Sequence, residues 1–210
     1  MQSTGLDFGV ERIDAPDAGL LYWPGAFAAD EAAELFAELR TEIDWQSEEI
    51  VIFGAKRRVP RLIAWHGDPD ASYVYSGVGH EPRPWTPTLE RIRQRIADRL
   101  ALSDSPLAAA FNSVLLNLYR DGRDGMGWHA DDEPELGIEP VIASVSLGAV
   151  RRFVLRHRRR RDRKIDLALP AGSLLVMYGA TQRCWVHALP KTMRPVGERI
   201  NLTFRRIVAA

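Results

Sequence analysis

The spacing of hydrophobic residues changes near residue 110. Before that point two stretches repeat every three to four positions. Glu31-Ala32-Ala33-Glu34-Leu35-Phe36-Ala37-Glu38-Leu39 predicts a helix with Asp30 as its N-cap. Thr86-Pro87 predicts a second start, with threonine capping and proline in the first turn, followed by Leu89, Ile92, Ile96 and Leu100 on one face. From Ile50 to Trp85 short apolar and aromatic runs are cut by Gly and Pro, which predicts hairpins and loops. After residue 110 the pattern becomes that of short strands, at 111–119, 141–147, 152–156, 165–169, 173–178 and 199–207. No amphipathic helix of useful length separates them, so a β-sandwich or barrel is expected. The expected architecture is α+β within one structural domain. Residues 1–110 form helices and recognition hairpins, and 111–210 an antiparallel β-core.

Composition narrows the class. The 210 residues are 46% hydrophobic and 27% charged, as in an ordinary soluble globular protein. No apolar run approaches the ~18 residues of a membrane span. The start lacks a basic region followed by an apolar stretch, so no secretory signal is expected. The single Cys184 excludes an internal disulfide and fits a cytoplasmic protein; between Arg183 and Trp185 it reads as a small residue rather than a nucleophile. A monomer is expected.

The net charge of zero argues at first against a nucleic-acid partner, but the charge is unevenly distributed. Asp30 to Glu49 holds eight acids and one base; Arg151 to Lys164 holds nine bases and one acid. The acidic run reads as a solvated helix face. The basic run, with a loop or hairpin end over Arg156–Lys164, has the density of a phosphate-contacting surface or of a merely solvated one.

Candidate chemistry centres on His129-Ala130-Asp131, which follows a glycine-rich turn. In extended backbone residues i and i+2 point the same way, so His129 and Asp131 can grip one ion. His187, from the strand-rich second half, is the candidate third ligand. Two histidines and one carboxylate on one face of an ion leave about three positions open, as non-haem Fe(II) oxygenases require. Period two along Arg199-Ile200-Asn201-Leu202-Thr203-Phe204-Arg205 puts Arg199, Asn201, Thr203 and Arg205 on one face. That face is either solvated or suited to a dicarboxylate, and Asn117 and Tyr119 alternate in the same way on 111–119.

At these residues the chain resembles the AlkB-type nucleic-acid dealkylases, over roughly residues 50 to 207. Asn117-Leu118-Tyr119 looks like that family's Asn-x-Tyr strand, His129-Ala130-Asp131 like its metal motif, and His187 like its distal ligand. The stretch from Arg199 to Arg205 is similar to its Arg-x-Asn-Leu-Thr-Phe-Arg signature. The resemblance implies a double-stranded β-helix (jelly roll) and an enzyme using Fe(II), 2-oxoglutarate and O2. It implies catalysis at His129, Asp131 and His187, with 2-oxoglutarate held by Asn117, Tyr119, Arg199, Asn201, Thr203 and Arg205.

On the substrate side Tyr73-Val74-Tyr75-Ser76 looks like the family's aromatic lid over a flipped base. Glu133 falls where the family places an acid facing the base edge. Ile52-Phe53-Gly54 resembles the wedge hairpin of duplex-DNA members, with Phe53 as the wedge. Arg158, Arg159 and Arg160 fall where those members contact the DNA backbone. Trp65 joins the substrate side, although Trp65-His66 matches no single subgroup. Tyr73, Tyr75 and Phe53 can equally be core aromatics.

The implied reaction is oxidative demethylation of N1-methyladenine- and N3-methylcytosine-type bases in alkylated DNA, coupled to decarboxylation of 2-oxoglutarate to succinate and release of formaldehyde. The alternatives are a same-fold oxygenase acting on RNA, a protein side chain or a small molecule, and an inactive nucleic-acid-binding module.

Overall fold

The computed structural model describes residues 9–47, 49–52, 55–71, 73–75, 78–80, 82–102, 107 and 110–208. In chain order the elements are β1 (Glu11–Arg12), β2 (Gly19–Trp23), α1 (Ala29–Glu42), β3 (Glu49–Ile52), β4 (Ala55–Arg58), β5 (Leu62–Gly67), β6 (Tyr73–Tyr75) and β7 (Val78–His80). Then come α2 (Pro87–Leu102), β8 (Ser113–Tyr119), β9 (Met126–His129), β10 (Ile142–Gly148), β11 (Arg151–His157) and β12 (Lys164–Leu169). The chain ends with β13 (Ser173–Tyr178), the short α3 (Thr181–Cys184), β14 (Trp185–Leu189) and β15 (Arg199–Arg205).

Two antiparallel sheets form the jelly roll expected from the sequence. The major sheet runs β1-β2-β13-β10-β15-β8-β5 and the minor sheet β12-β11-β14-β9. The major sheet thus draws strands from both sides of residue 110. The pairs β3–β4 and β6–β7 are the hairpins predicted before Trp85.

Strand alternation sorts each major-sheet strand between two buried faces. Val114, Leu116 and Leu118, with Ile200, Leu202 and Phe204, pack under α1 and α2 in one apolar cluster. A second cluster, including Leu20, Ile142, Leu155, Leu175 and Trp185, fills the space between the sheets. The layers are therefore helices, major sheet, minor sheet, and polar residues that alternate inward on the major sheet must face the interior of the roll.

Helix α2 starts as predicted: the Leu89 N–H donates to the Thr86 hydroxyl at 3.2 Å, and Leu89, Ile92, Ile96 and Leu100 are buried. The start of α1 differs. Its N-cap is Ala28, and Asp30 lies inside the first turn, its carboxylate accepting the Glu31 N–H at 2.8 Å. Phe27 is buried and its N–H donates to the Gly172 carbonyl, so the incoming chain is anchored and the helix begins early. The acidic face of α1 is not simply solvated either. Glu31 and Glu38 pair with Arg95 and Arg91 of α2.

The predicted strand at 199–207 stops at Arg205, and the one at 111–119 begins at Ser113. The Asn112 side chain accounts for both ends: it accepts the Ile207 N–H at 2.7 Å and donates to the Ile207 carbonyl at 2.9 Å, replacing the backbone ladder. No helix among the described residues is long and apolar enough to cross a membrane.

Candidate active site

The buried polar residues of the interior gather at one place. On β9, His129 stands opposite His187 of β14, and Asp131 follows two residues later. Donor atoms of His129, Asp131 and His187 all lie within 4.8 Å of one another, with His187 Nε2 3.8 Å from Asp131 Oδ2. The two imidazoles meet edge to face at 4.3 Å between centroids.

Two of the three members are held by a second group. His129 Nδ1 lies 2.9 Å from the Gly127 carbonyl; that contact calls for a proton on Nδ1 and leaves Nε2 as a free donor pair. The Asp131 N–H donates to the Gln182 side-chain carbonyl at 3.0 Å. Arg205 donates to Asp131 Oδ1 at 2.7 Å in a pair that is almost fully buried. Burial alone would push the Asp131 carboxyl up, but Arg205 and the two histidines outweigh it and hold the group at about 2. Burial, with His129 beside it, pushes His187 down to about 3, against the pull of Asp131. At neutral pH the cluster therefore offers a carboxylate and an uncharged His187, the forms a cation needs.

A small cavity open to solvent is lined by all three members of the cluster. Its lining includes Asn117, Tyr119, Asn201, Thr203 and Arg205, all predicted from the alternation of two strands. Register explains the convergence: Asn201 pairs with Asn117 and Arg199 with Tyr119 across β15 and β8.

Arg199 does not line the cavity itself. It lies at 1% exposure with its guanidinium 5.4 Å from the Tyr119 ring centroid. One nitrogen donates to Ser146 Oγ at 2.9 Å, while Nε and Nη1 have no partner among the described residues. Unsatisfied donors on a buried charge are costly, so these two call for an anionic oxygen. Burial also pushes this guanidinium down to about 10.

Of the substrate-side residues, Trp65 is buried on β5, paired in register with Leu115 of the cavity lining. Tyr73 and Tyr75 lie on β6. Phe53 and Gly54 lie outside the described residues. Glu133 caps the short turn Pro134–Leu136 and is not part of the cavity lining; its Oε2 is buried with no partner among the described residues.

The basic run divides. Arg158–Arg163 forms the β11–β12 turn, with Arg158 paired to Asp132 at 2.6 Å and Arg160 to Asp17 at 3.7 Å. Arg159 and Arg161 have no acid partner among the described residues. Arg151, counted in the sequence as part of the phosphate-contacting run, is instead 3% exposed. It donates to the carbonyls of Asp121, Asp124 and Pro190, so it pins the glycine-rich turn ahead of β9.

Sequence reasoning missed four residues of the site. Ser144 and Ser146 accept hydrogen bonds from Asn201 and Arg199. Gln182 holds Asp131, and the buried Arg61 donates to Asn117 Oδ1 at 2.6 Å. The two serines left a signal: they alternate as polar positions within an otherwise apolar strand. Arg61 and Gln182 left none, since each acts from outside the strand patterns.

An interior cluster of two histidines and a carboxylate in a jelly roll, beside a buried arginine with unsatisfied donors, defines a non-haem iron oxygenase that takes an anionic co-substrate. A family model described as the 2OG-Fe(II) oxygenase superfamily matches residues 19–205. The chain belongs to that superfamily and, through its relatives, to its AlkB-type family. DNA oxidative demethylase ALKBH2 of Bos taurus is 40% identical over 218 residues, covering 99% of this chain and 75% of that protein. ALKBH2 of Homo sapiens is 40% identical over 192 residues, covering 87% and 71%. Alpha-ketoglutarate-dependent dioxygenase alkB homolog 3 of Bos taurus is 37% identical over 211 residues, covering 95% and 71%. The solved structure of OsALKBH1 shares the fold, with a TM-score of 0.66 at 14% identity over 94% of this chain and 100% of that one. Fe(II), 2-oxoglutarate and O2 are accordingly the metal, co-substrate and oxidant of this family site.

Proposed function

We propose that the protein is a DNA oxidative demethylase acting on N1-methyladenine- and N3-methylcytosine-type lesions, with RNA as a second substrate class. The observation that carries this reading is the convergence of His129, Asp131 and His187 on a cavity that also exposes Arg205, Asn201 and Tyr119. The DNA oxidative demethylase activity of the ALKBH2 relatives supports the choice of DNA.

His129, Asp131 and His187 hold the iron. Arg205 is committed to Asp131, beside the ligands, which leaves Arg199 to take the far carboxylate of 2-oxoglutarate on its two unpartnered nitrogens. Ser146 and Tyr119 fix the guanidinium in place, and Asn117, Asn201 and Thr203 supply neighbouring polar groups. When bound, the iron and co-substrate would supply an O2-dependent oxidation of the N-methyl carbon, with 2-oxoglutarate converted to succinate and CO2. The hydroxymethyl group then leaves as formaldehyde. Gly127 keeps His129 in the ligating tautomer, and Gln182 and Arg205 orient Asp131. Succinate release should rise when a methylated oligonucleotide is added and stay near background with the unmethylated strand. Equal release on both would remove the nucleic-acid substrate.

N1-methyladenine and N3-methylcytosine carry ring charge, which an aromatic face and a carboxylate both favour. Tyr75, Tyr73 and Trp65 are assigned to the base, and Glu133 to its edge. Glu133→Gln is expected to lower kcat/KM for N1-methyladenine roughly 5-fold more than for a neutral etheno adduct, because a charge-assisted contact becomes an ordinary one. Equal losses would give Glu133 a shaping role only.

Arg158, Arg159 and Arg160 are assigned to the phosphates and Phe53 to the space left by the flipped base. Phe53→Ala should lower kcat/KM on duplex DNA by about 10-fold, from the ~1–3 kcal/mol of one stacked base, with a much smaller loss on single strands. Matched oligonucleotides read this, and equal losses would sink the wedge.

A further inference from the structure

Trp128 is an exposed aromatic, at 44%. It immediately precedes His129, and strand alternation turns it to the opposite, outer side of the minor sheet, where β9 is an edge strand. The Arg156 guanidinium lies 4.3 Å from its ring centroid. A shallow groove runs beside it, lined by Pro60, Gly125, Pro190 and Lys191 among others. Met126 and Leu189 line both this groove and the catalytic cavity, so the two adjoin.

Arg156 covers part of the indole, and the 44% of Trp128 still in water beside a reaction site leaves ring surface for a ligand. Its chemical complement follows from the surroundings: a flat ring for the indole, and anionic groups for the cations Arg156 and Lys191. A nucleotide supplies both. We propose that Trp128 is a stacking platform for an unpaired base of the substrate strand, next to the nucleotide in the cavity, with Arg156 and Lys191 holding its phosphates. This rests on the nucleic-acid reading above. In a duplex the same base is already stacked on its neighbours, so the platform serves single strands, where Phe53 has no space to fill.

The test uses single strands carrying one N1-methyladenine, with either natural bases or an abasic residue at each flanking position in turn. Wild type, Trp128→Phe and Trp128→Ala are compared by kcat/KM, and by fluorescence anisotropy of the same labelled strands. Trp128→Ala is expected to lose roughly 5- to 150-fold on the fully based strand, with Trp128→Phe keeping most of the wild-type value. One abasic position should lower wild type by a similar factor and erase the difference between wild type and Trp128→Ala. Equal losses by Trp128→Ala on based and abasic strands would mean the change disturbs His129, and no loss on either would mean no base is held; both overturn the proposal. Wild type that binds these strands in the predicted pattern but repairs none would count against the demethylase reading alone.

Discussion

His187→Ala is expected to abolish turnover while leaving the fold intact. His187 supplies one of three donor groups, and its partners across the cluster are His129 and Asp131. Removing a group that merely orients a metal ligand typically costs ~10- to 100-fold in metal affinity, and removing a ligand should exceed that. The fold should survive, because the core around His187 is built from Leu155, Trp185 and their neighbours. The check is a titration with Fe(II) or Mn(II), read by thermal shift, beside circular dichroism and turnover. Near-normal activity in His187→Ala would place the third ligand elsewhere.

Arg199→Ala is expected to raise the apparent Kd for 2-oxoglutarate by roughly 10- to 150-fold. A charge-assisted contact is worth ~1.5–3 kcal/mol, and each 1.4 kcal/mol is a factor of ten. The structure separates this arginine from Arg205, three periods of alternation further along the strand. Arg205 is already paired with Asp131, whereas Arg199 has two buried nitrogens without partners among the described residues. An anaerobic 2-oxoglutarate titration measures the change. An unchanged titration in Arg199→Ala, with the loss appearing in Arg205→Ala, would exchange their roles.

The second half of the fold was readable because its strands are bounded by Gly and Pro and its site residues alternate. Arg199, Asn201, Thr203 and Arg205 reach the interior because Ile200, Leu202 and Phe204 must lie under the helices. The same logic applies to Asn117 and Tyr119. Five strands were not predicted as such, the two-residue Glu11–Arg12 among them. Gly19–Trp23 and Leu62–Gly67 join the major sheet through β13 and β8, both distant in sequence, and nothing local marks such a pairing. Met126–His129 and Trp185–Leu189 are short; the first is held only by the second, in an irregular register, and the second lies between it and β11. Residues that act on a ligand from outside the strand pattern, such as Arg61 and Gln182, become visible only in three dimensions. Arg151 shows the opposite error: a charge run suggested a solvated surface, but three backbone carbonyls draw this member inside.

The most direct measurement is mass spectrometry of a mixed panel of alkylated oligonucleotides incubated with the protein, Fe(II), 2-oxoglutarate and ascorbate. The account predicts that strands bearing N1-methyladenine or N3-methylcytosine lose the mass of one methylene, with formaldehyde formed in equal amount, and that omitting Fe(II) or 2-oxoglutarate stops the change. A panel left at its starting masses, while 2-oxoglutarate is still consumed by the same sample, would contradict it.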